Sequence, residues 1–253
     1  MQSFLTGLQF LSRIRIVCQN DWSNERFSRS VRYFPLVGAS VGAVMALVSY
    51  LLIFVLPFVG VTIPVAALSA ILLALWLYLG GGLTCDGFMD TMDGVFSGRD
   101  REKMLVIMKD SRVGANGVVG FVMLALLKWA MLMSIPHAYI PMAFFMAAVL
   151  GKLAMVIAIV RFPYARPDGI GKMFQLCANN TTLFVAAGCT VVCLLPFGIS
   201  SLICGIGAVC GTLCLGRYVT RVLGGLTGDV YGAINETIEL LVLILLVFIT
   251  NYR

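Results

Sequence analysis

Seven apolar runs constrain this chain more than anything else in it: near Leu36 to Leu56, Val61 to Tyr78, Val113 to Ser134, Tyr139 to Val160, Thr182 to Phe197, Ser200 to Leu215 and Ile234 to Ile249. Each approaches the roughly 20 residues that an α-helix needs to cross a hydrocarbon layer about 30 Å thick. Inside such a layer the backbone finds no water, so these runs must close their own hydrogen bonds as helices. Composition agrees. Hydrophobic residues make up 60% of the 253 and charged residues 12%, about half the charge of an ordinary soluble domain. The expected fold is an all-α polytopic membrane helix bundle in a lipid bilayer, a single domain over residues 1–253 with about seven transmembrane helices. The fifth and sixth runs are short enough to be one broken hairpin.

The charges sort by connection. Arg13, Arg15, Arg26, Arg29 and Arg32 precede the first run; Arg99, Arg101, Lys103, Lys109 and Arg112 separate the second and third. Arg161, Arg166 and Lys172 follow the fourth, and Arg217 and Arg221 follow the sixth. All four segments fall on one side, which the positive-inside rule assigns to the cytoplasm together with the N-terminus. Of the Lys and Arg outside the runs, only Arg253 falls on the other side, which also holds His137, the single histidine. The net charge of +6 is therefore explained by topology, with no nucleic-acid partner needed. All twelve acids are read as lying in, or at the ends of, the same cytoplasmic segments. Lys128 and Lys152 remain inside runs; Lys128 reads as structural, and Lys152 either as half of an internal ion pair or as part of a site wall. The first residues, MQSFLTGLQFL, have a short apolar face formed by Phe4, Leu5, Leu8, Phe10 and Leu11. They are too short to span and precede no small-residue cleavage site, so they read as a surface amphipathic helix and not as a signal peptide. The eight cysteines, Cys18 among them, form no CxxC pair and read as small core hydrophobes.

Between the second and third runs lies GGGLTCDGFMDTMDGVFSGRDREKMLVIMKDSRVGANG, with six acids and five bases. Asp86, Asp90 and Asp93 stand at i, i+4 and i+7, one stripe of a helix. Carboxylates so placed repel unless they take up protons or a divalent cation, and an all-oxygen set suits Mg2+ completed by phosphate oxygens. The plain alternative is a solvated polar connection. Two further cytoplasmic stretches are richer in polar groups than a connector requires. RFPYARPDGIGKMF places Arg161, Tyr164 and Arg166 to grip phosphate or stack on a base, or simply to sit at a lipid surface. RVLGGLTGDVYGAINE sets Asp229 and Glu236 seven apart among glycines, on one face if a helix starts near Asp229.

Together, LTCDGFMDTMDGVFSGRDREKMLVIMKDSRVGANG, PYARPDGIG and GGLTGDVYGAINE resemble the cobalamin synthase family, adenosylcobinamide-GDP ribazoletransferases. The likeness extends through FLTGLQFLSRIRI and YFPLVGASVGAVMA to nearly the whole chain. It implies a bacterial inner-membrane enzyme that uses Mg2+ to join alpha-ribazole, or its 5'-phosphate, to adenosylcobinamide-GDP with release of GMP. It implies metal ligands among Asp86, Asp90, Asp93, Asp229 and Glu236, with Asp86 and Asp90 foremost. A proton acceptor is implied at Asp93 or Asp110, Asp93 being favoured. Substrate contacts are implied at Lys109, Arg112, Arg161, Tyr164, Arg166 and Asn235. Two positions depart from the family: Thr84 stands where many members have histidine, and Gly151 and Lys152 replace a Ser-Arg pair. A homo-oligomer is compatible with all of this.

Two other readings compete. The acid spacing is similar to the DxxDGxxAR opening of CDP-alcohol phosphotransferases, although Asp86 and Asp90 are four apart where that pattern has three and the Ala-Arg is missing. A small-solute transporter would also use intramembrane charges and broken helices, but its carboxylates should be spread at mid-membrane depth.

Overall fold

The computed structural model describes residues 2–16 and 23–251, and Cys18 and Arg253 lie outside them. The described residues form α-helices with no β-strand: α1 Gln2–Leu11, α2 Asn24–Ser30, α3 Phe34–Tyr50, α4 Val65–Leu79, α5 Leu83–Val95, α6 Arg101–Ile107, α7 Ala115–Ser134, α8 Ile140–Arg161, α9 Ile170–Gln175, α10 Asn180–Leu194, α11 Gly198–Leu223 and α12 Gly228–Asn251. Among the described residues, five stretches are long and apolar enough to cross a membrane, or six if the bent pair α4 and α5 counts as one span.

The axis of the bundle is α8, an apolar helix buried from Ala143 to Ile159 with Phe145 alone partly open. Helix α3 presses on it through Gly38 and Gly42; a Cβ at Gly42 would stand 2.8 Å from Phe145 Cα. Small residues at such crossings let helix backbones approach where lipid offers no hydrophobic drive. Helices α10, α11 and α12 also pack on α8. Past Tyr50, α3 continues through a π-turn, Leu51–Val55, and a 3-10 turn, Leu56–Val59. Pro57 accounts for the distortion, since it lacks the N–H that a regular helix needs there.

The fifth and sixth runs form two arms. The stretch 180–223 breaks at Leu195–Phe197 and at Gly198, whose φ is +57°. Its two ends both lie with the polar loops: Cys177 N–H donates to Ser28 Oγ (2.6 Å), and the Leu223 carbonyl accepts from Arg101 Nε (2.6 Å). Helix α11 outruns its apolar core by eight residues, so Arg217 and Arg221 sit on its last turns. Helix α1 forms as expected, but its apolar side packs on α2 and α3, burying Leu8 and Leu11 in the protein.

One feature of the fold builds the site. After α4 the chain turns through Gly80, Gly81 and Gly82, the last two at φ +75° and +80°, and α5 leaves at 91° to α4. Helix α5 thus lies across the end of the bundle against α12.

Candidate active site

Helix α5 carries the aspartate stripe, and its small residues set how close α12 comes. A Cβ at Gly87 would stand 2.7 Å from the Asp229 carbonyl and 2.9 Å from Asp229 Cα; one at Gly232 would meet Thr84 Cα at 3.0 Å. This crossing brings the first turn of α12 beside Asp86 and Asp90. Asp90 lies within electrostatic reach of Asp86, Asp229 and Arg166, and Asp229 within reach of Asp86 and Arg166. Asp86, Gly87, Gly171, Gly228, Asp229 and Gly232 line a shared cleft. Neither Asp86 nor Asp90 makes a side-chain hydrogen bond or ion pair among the described residues.

Arg166 comes from the loop after α8. That loop is zipped to the one before α12: Ala165 N–H donates to the Leu226 carbonyl and Leu226 N–H to the Pro163 carbonyl, each at 2.8 Å. Arg101 of α6 reaches across both, with Nε on Leu223 and Nη2 3.4 Å from the Ala165 carbonyl. Gly224 must be glycine here, because its φ is +74° and a Cβ would stand 2.9 Å from Arg101 Nε. Held this way, Arg166 Nη1 pairs with Asp229 Oδ2 at 3.0 Å with only 11% of its side chain exposed. Its Nε and Nη2 are buried without a hydrogen-bond partner among the described residues. Buried guanidinium donors are costly to leave unpaired, so they mark a place for an anionic acceptor. Beside them, Tyr164 is half-buried with its ring 6.4 Å from that of Tyr231. Burial raises the Tyr164 hydroxyl above its ordinary value, partly offset by Arg166.

Four of the expected site residues have other partners. Asp93 accepts from Gly114 N–H (2.7 Å) and Gly117 N–H (2.8 Å); it caps the start of α7, and both oxygens are engaged there. Glu236 lies two turns along α12 from Asp229, about 10 Å away. Its Oε1 accepts from Thr84 Oγ1 (2.6 Å) and its Oε2 pairs with Lys128 (2.5 Å). Asn235 is fully buried, receiving Lys152 Nζ on Oδ1 (2.9 Å) and donating to Glu239 Oε1 (3.0 Å). Asp110 pairs with Arg112 at 2.6 Å on the surface, and those bonds hold its carboxyl at about 2, a poor proton acceptor. Lys109 and Arg161 are exposed.

The acids do not all stay in the loops. Glu236 and Glu239 lie well inside α12, where Lys128 bridges them at 2.5 and 2.7 Å. Lys128 makes the buried ion pair, in line with the structural role expected of it, and Lys152, expected in an internal ion pair or a site wall, joins the same internal group through Asn235. Sequence reading missed Thr84, Glu239 and Arg101 as partners. For Thr84 the hint was its place in the family's histidine position; for Glu239 it was the pair of lysines inside apolar runs.

The chemistry of the donor set suits a hard divalent cation. Asp86, Asp90 and Asp229 lie close together with a single guanidinium, Arg166, which is paired to Asp229, so the cluster holds more carboxylates than cations. No three His, Cys, Asp or Glu side chains among the described residues converge as a metal cage. An ion such as Mg2+, usually held by one or two carboxylates, would have to take its remaining ligands from substrate phosphates and water.

A family model for cobalamin-5-phosphate synthase matches residues 3–247. The chain belongs to the cobalamin-5-phosphate synthase family. It is similar to proteins named adenosylcobinamide-GDP ribazoletransferase in Desulforamulus reducens (38% identical, covering 96% of this chain and 93% of the relative) and Desulfitobacterium hafniense (37%, 96% of each). A third, in Roseiflexus sp., is 37% identical over 94% of this chain and 86% of its own length. No solved structure matches this member of the cobalamin-5-phosphate synthase family.

Proposed function

We propose that the cleft between α5 and α12 is where this protein joins alpha-ribazole, or its 5'-phosphate, to adenosylcobinamide-GDP, releasing GMP in the last step of nucleotide-loop assembly. The observation that carries this placement is the cluster of Asp86, Asp90 and Asp229 beside Arg166, which pairs with Asp229 and whose Nε and Nη2 have no hydrogen-bond partner among the described residues. A diphosphate ester needs such a pairing: carboxylates to hold a divalent cation, and a planar guanidinium to accept phosphate oxygens in the fork geometry.

Asp86 and Asp90 would hold Mg2+, with Asp229 at its edge. When bound, the ion supplies charge stabilisation for the phosphates and for departing GMP. Arg166 presents Nε and Nη2 to a phosphate and stays aligned through Asp229. A ribazole hydroxyl attacks the phosphorus nearest the cobinamide, the bond from that phosphorus to the GMP oxygen breaks, and the hydroxyl proton passes to a carboxylate of the α5 stripe. Asp93, Asp110, Asn235 and Glu236 are left out of this chemistry because other groups hold them.

The site end faces the cytoplasm of a bacterium, across its inner membrane. The one-sided distribution of Lys and Arg supports this, since Arg161 and Arg166 follow α8, Arg217 and Arg221 end α11, and Arg99, Arg101 and Lys103 follow α5 around the cleft. Asp86, Asp90 and Asp229 gathered at one end of the bundle also favour transfer chemistry over a solute pathway, since the two glutamates deeper in α12 are tied up by Lys128.

Turnover by the purified protein tests the reading. GMP should appear only with adenosylcobinamide-GDP, a ribazole acceptor and Mg2+ together, and Arg166→Ala should chiefly raise the KM of one phosphorylated substrate. Full turnover under chelation, or a kinetically silent Arg166→Ala, would overturn it.

A further inference from the structure

The buried polar group behind the cleft is larger than a structural ion pair needs to be. Four helices contribute: Lys128 from α7, Lys152 from α8, Thr84 from α5, and Asn235, Glu236 and Glu239 from α12. Lys128 binds both glutamates, Asn235 Nδ2 reaches both at 3.3 and 3.0 Å, and Lys152 closes on Asn235 Oδ1. The charges balance at two lysines and two glutamates. The whole group is buried, from 0% exposed at Asn235 to 5% at Lys152 and Glu239.

Three of the four helices belong to the long bundle and would be joined without Thr84. Among the described residues, the single polar tie from this group to the crosswise helix is Thr84 Oγ1 donating to Glu236 Oε1 at 2.6 Å. Thr84 lies in the first turn of α5, two residues before Asp86, and its Cα is the atom against which Gly232 packs. The rest of the α5–α12 crossing is glycine contact and apolar packing, with Phe88 and Ala233 in one buried cluster; non-directional contacts of this kind allow closeness but fix rotation and slide less tightly. A directional hydrogen bond to a fixed carboxylate sets both. Glu236 is fixed because Lys128 holds its other oxygen.

We propose that Thr84 is a positioning residue for transfer: through Glu236 it fixes the register of α5 on α12, and so the placement of Asp86 and Asp90 against Asp229. This rests on the reading of the cleft given above. Thr84 touches no reacting atom; it acts by holding the stripe.

Thr84→Val keeps the shape and removes the donor, and Thr84→Ser keeps the donor. Outer partners that orient ligating groups typically contribute about 10- to 100-fold, so Thr84→Val should lower kcat by about that factor with KM nearly unchanged. Thr84→Ser should recover most of it. Amide hydrogen exchange without substrate or metal should quicken over α5 in the valine variant and not in α8. If Thr84→Val does not fold in detergent, Thr84→Ala makes the same test. Full kcat in the valine variant, equal losses in valine and serine, or a loss that only follows the folded fraction would each overturn the proposal. Asp90→Asn measured in the same series separates the two ideas: if it stays active, the reading of the cleft fails whatever Thr84 does.

Discussion

Replacing Gly87 by alanine tests how the crossing of α5 and α12 creates the site. The new Cβ would lie 2.7 Å from the Asp229 carbonyl oxygen and 2.9 Å from Asp229 Cα. Both are backbone atoms of a helix and cannot swing aside, while ordinary heavy-atom contacts begin at about 3.5 Å. The helices must therefore part by about 0.8 Å. Overpacking of this size typically costs about 1–3 kcal/mol, and misplacement of reacting groups by about 1 Å can cost about 100-fold in rate. Gly87→Ala should thus lower kcat for ribazole transfer by roughly 100-fold while lowering the melting temperature only modestly. Gly188→Ala and Gly205→Ala are the controls, since a Cβ at either meets nothing within 4 Å. Steady-state kinetics and thermal melting in the same detergent measure both quantities. Wild-type kcat in Gly87→Ala, or an equal loss in the controls, would refute the reasoning.

Lys128→Met should destabilise the folded protein by about 3–5 kcal/mol, the usual cost of stranding buried partners, because Glu236 and Glu239 lose a shared cation that is 1% exposed; loss of the monodisperse folded peak in size-exclusion chromatography would show it, and a normal melting temperature would contradict it. Asp110→Asn should leave the pH–rate profile unchanged, since a carboxyl held at about 2 is ionised throughout the working range. Any stability from its pair with Arg112 is present above the unfolded value of 3.8 and lost as pH falls toward 2; because the pair is exposed that contribution is small, so the variant should melt at most slightly lower at neutral pH and no differently near pH 2, and a shifted acid limb would restore Asp110 as a proton acceptor. Single cysteines at Ser97 and His137, in an otherwise cysteine-free chain, should label oppositely with an impermeant reagent on intact cells, only the second reacting; the reverse pattern would invert the orientation.

Much of the fold was legible because its strongest determinant is local. Apolar runs in lipid have one outcome, and the aspartate spacing already placed Asp86 and Asp90 on one face of α5. The boundaries of α11 and α12 were less so: arginines on the last turns of α11 and glycines at the start of α12 look like loop in composition, yet continue the helix. The partners of Glu236, Asp93 and Asn235 were hidden for a different reason. Each contact joins residues from separate helices, 152 positions apart for Thr84 and Glu236 and 24 for Asp93 and Gly117. A carboxylate's type and spacing show that it needs a partner but not which one. Asp93 looked like the third ligand of the stripe because it shares the helical face, and only the arrival of α7 shows that backbone N–H groups take both its oxygens.

The central claim is that α5 and α12 form one composite site, and a double-mutant cycle on Asp90 and Asp229 tests it most directly. Residues that act on the same bound group are strongly non-additive, whereas distant, independent ones add. Asp90→Asn and Asp229→Asn should each lower kcat, and the double variant should be little worse than the poorer single one. Losses that multiply, or an Asp229→Asn variant with full kcat at limiting Mg2+, would contradict it.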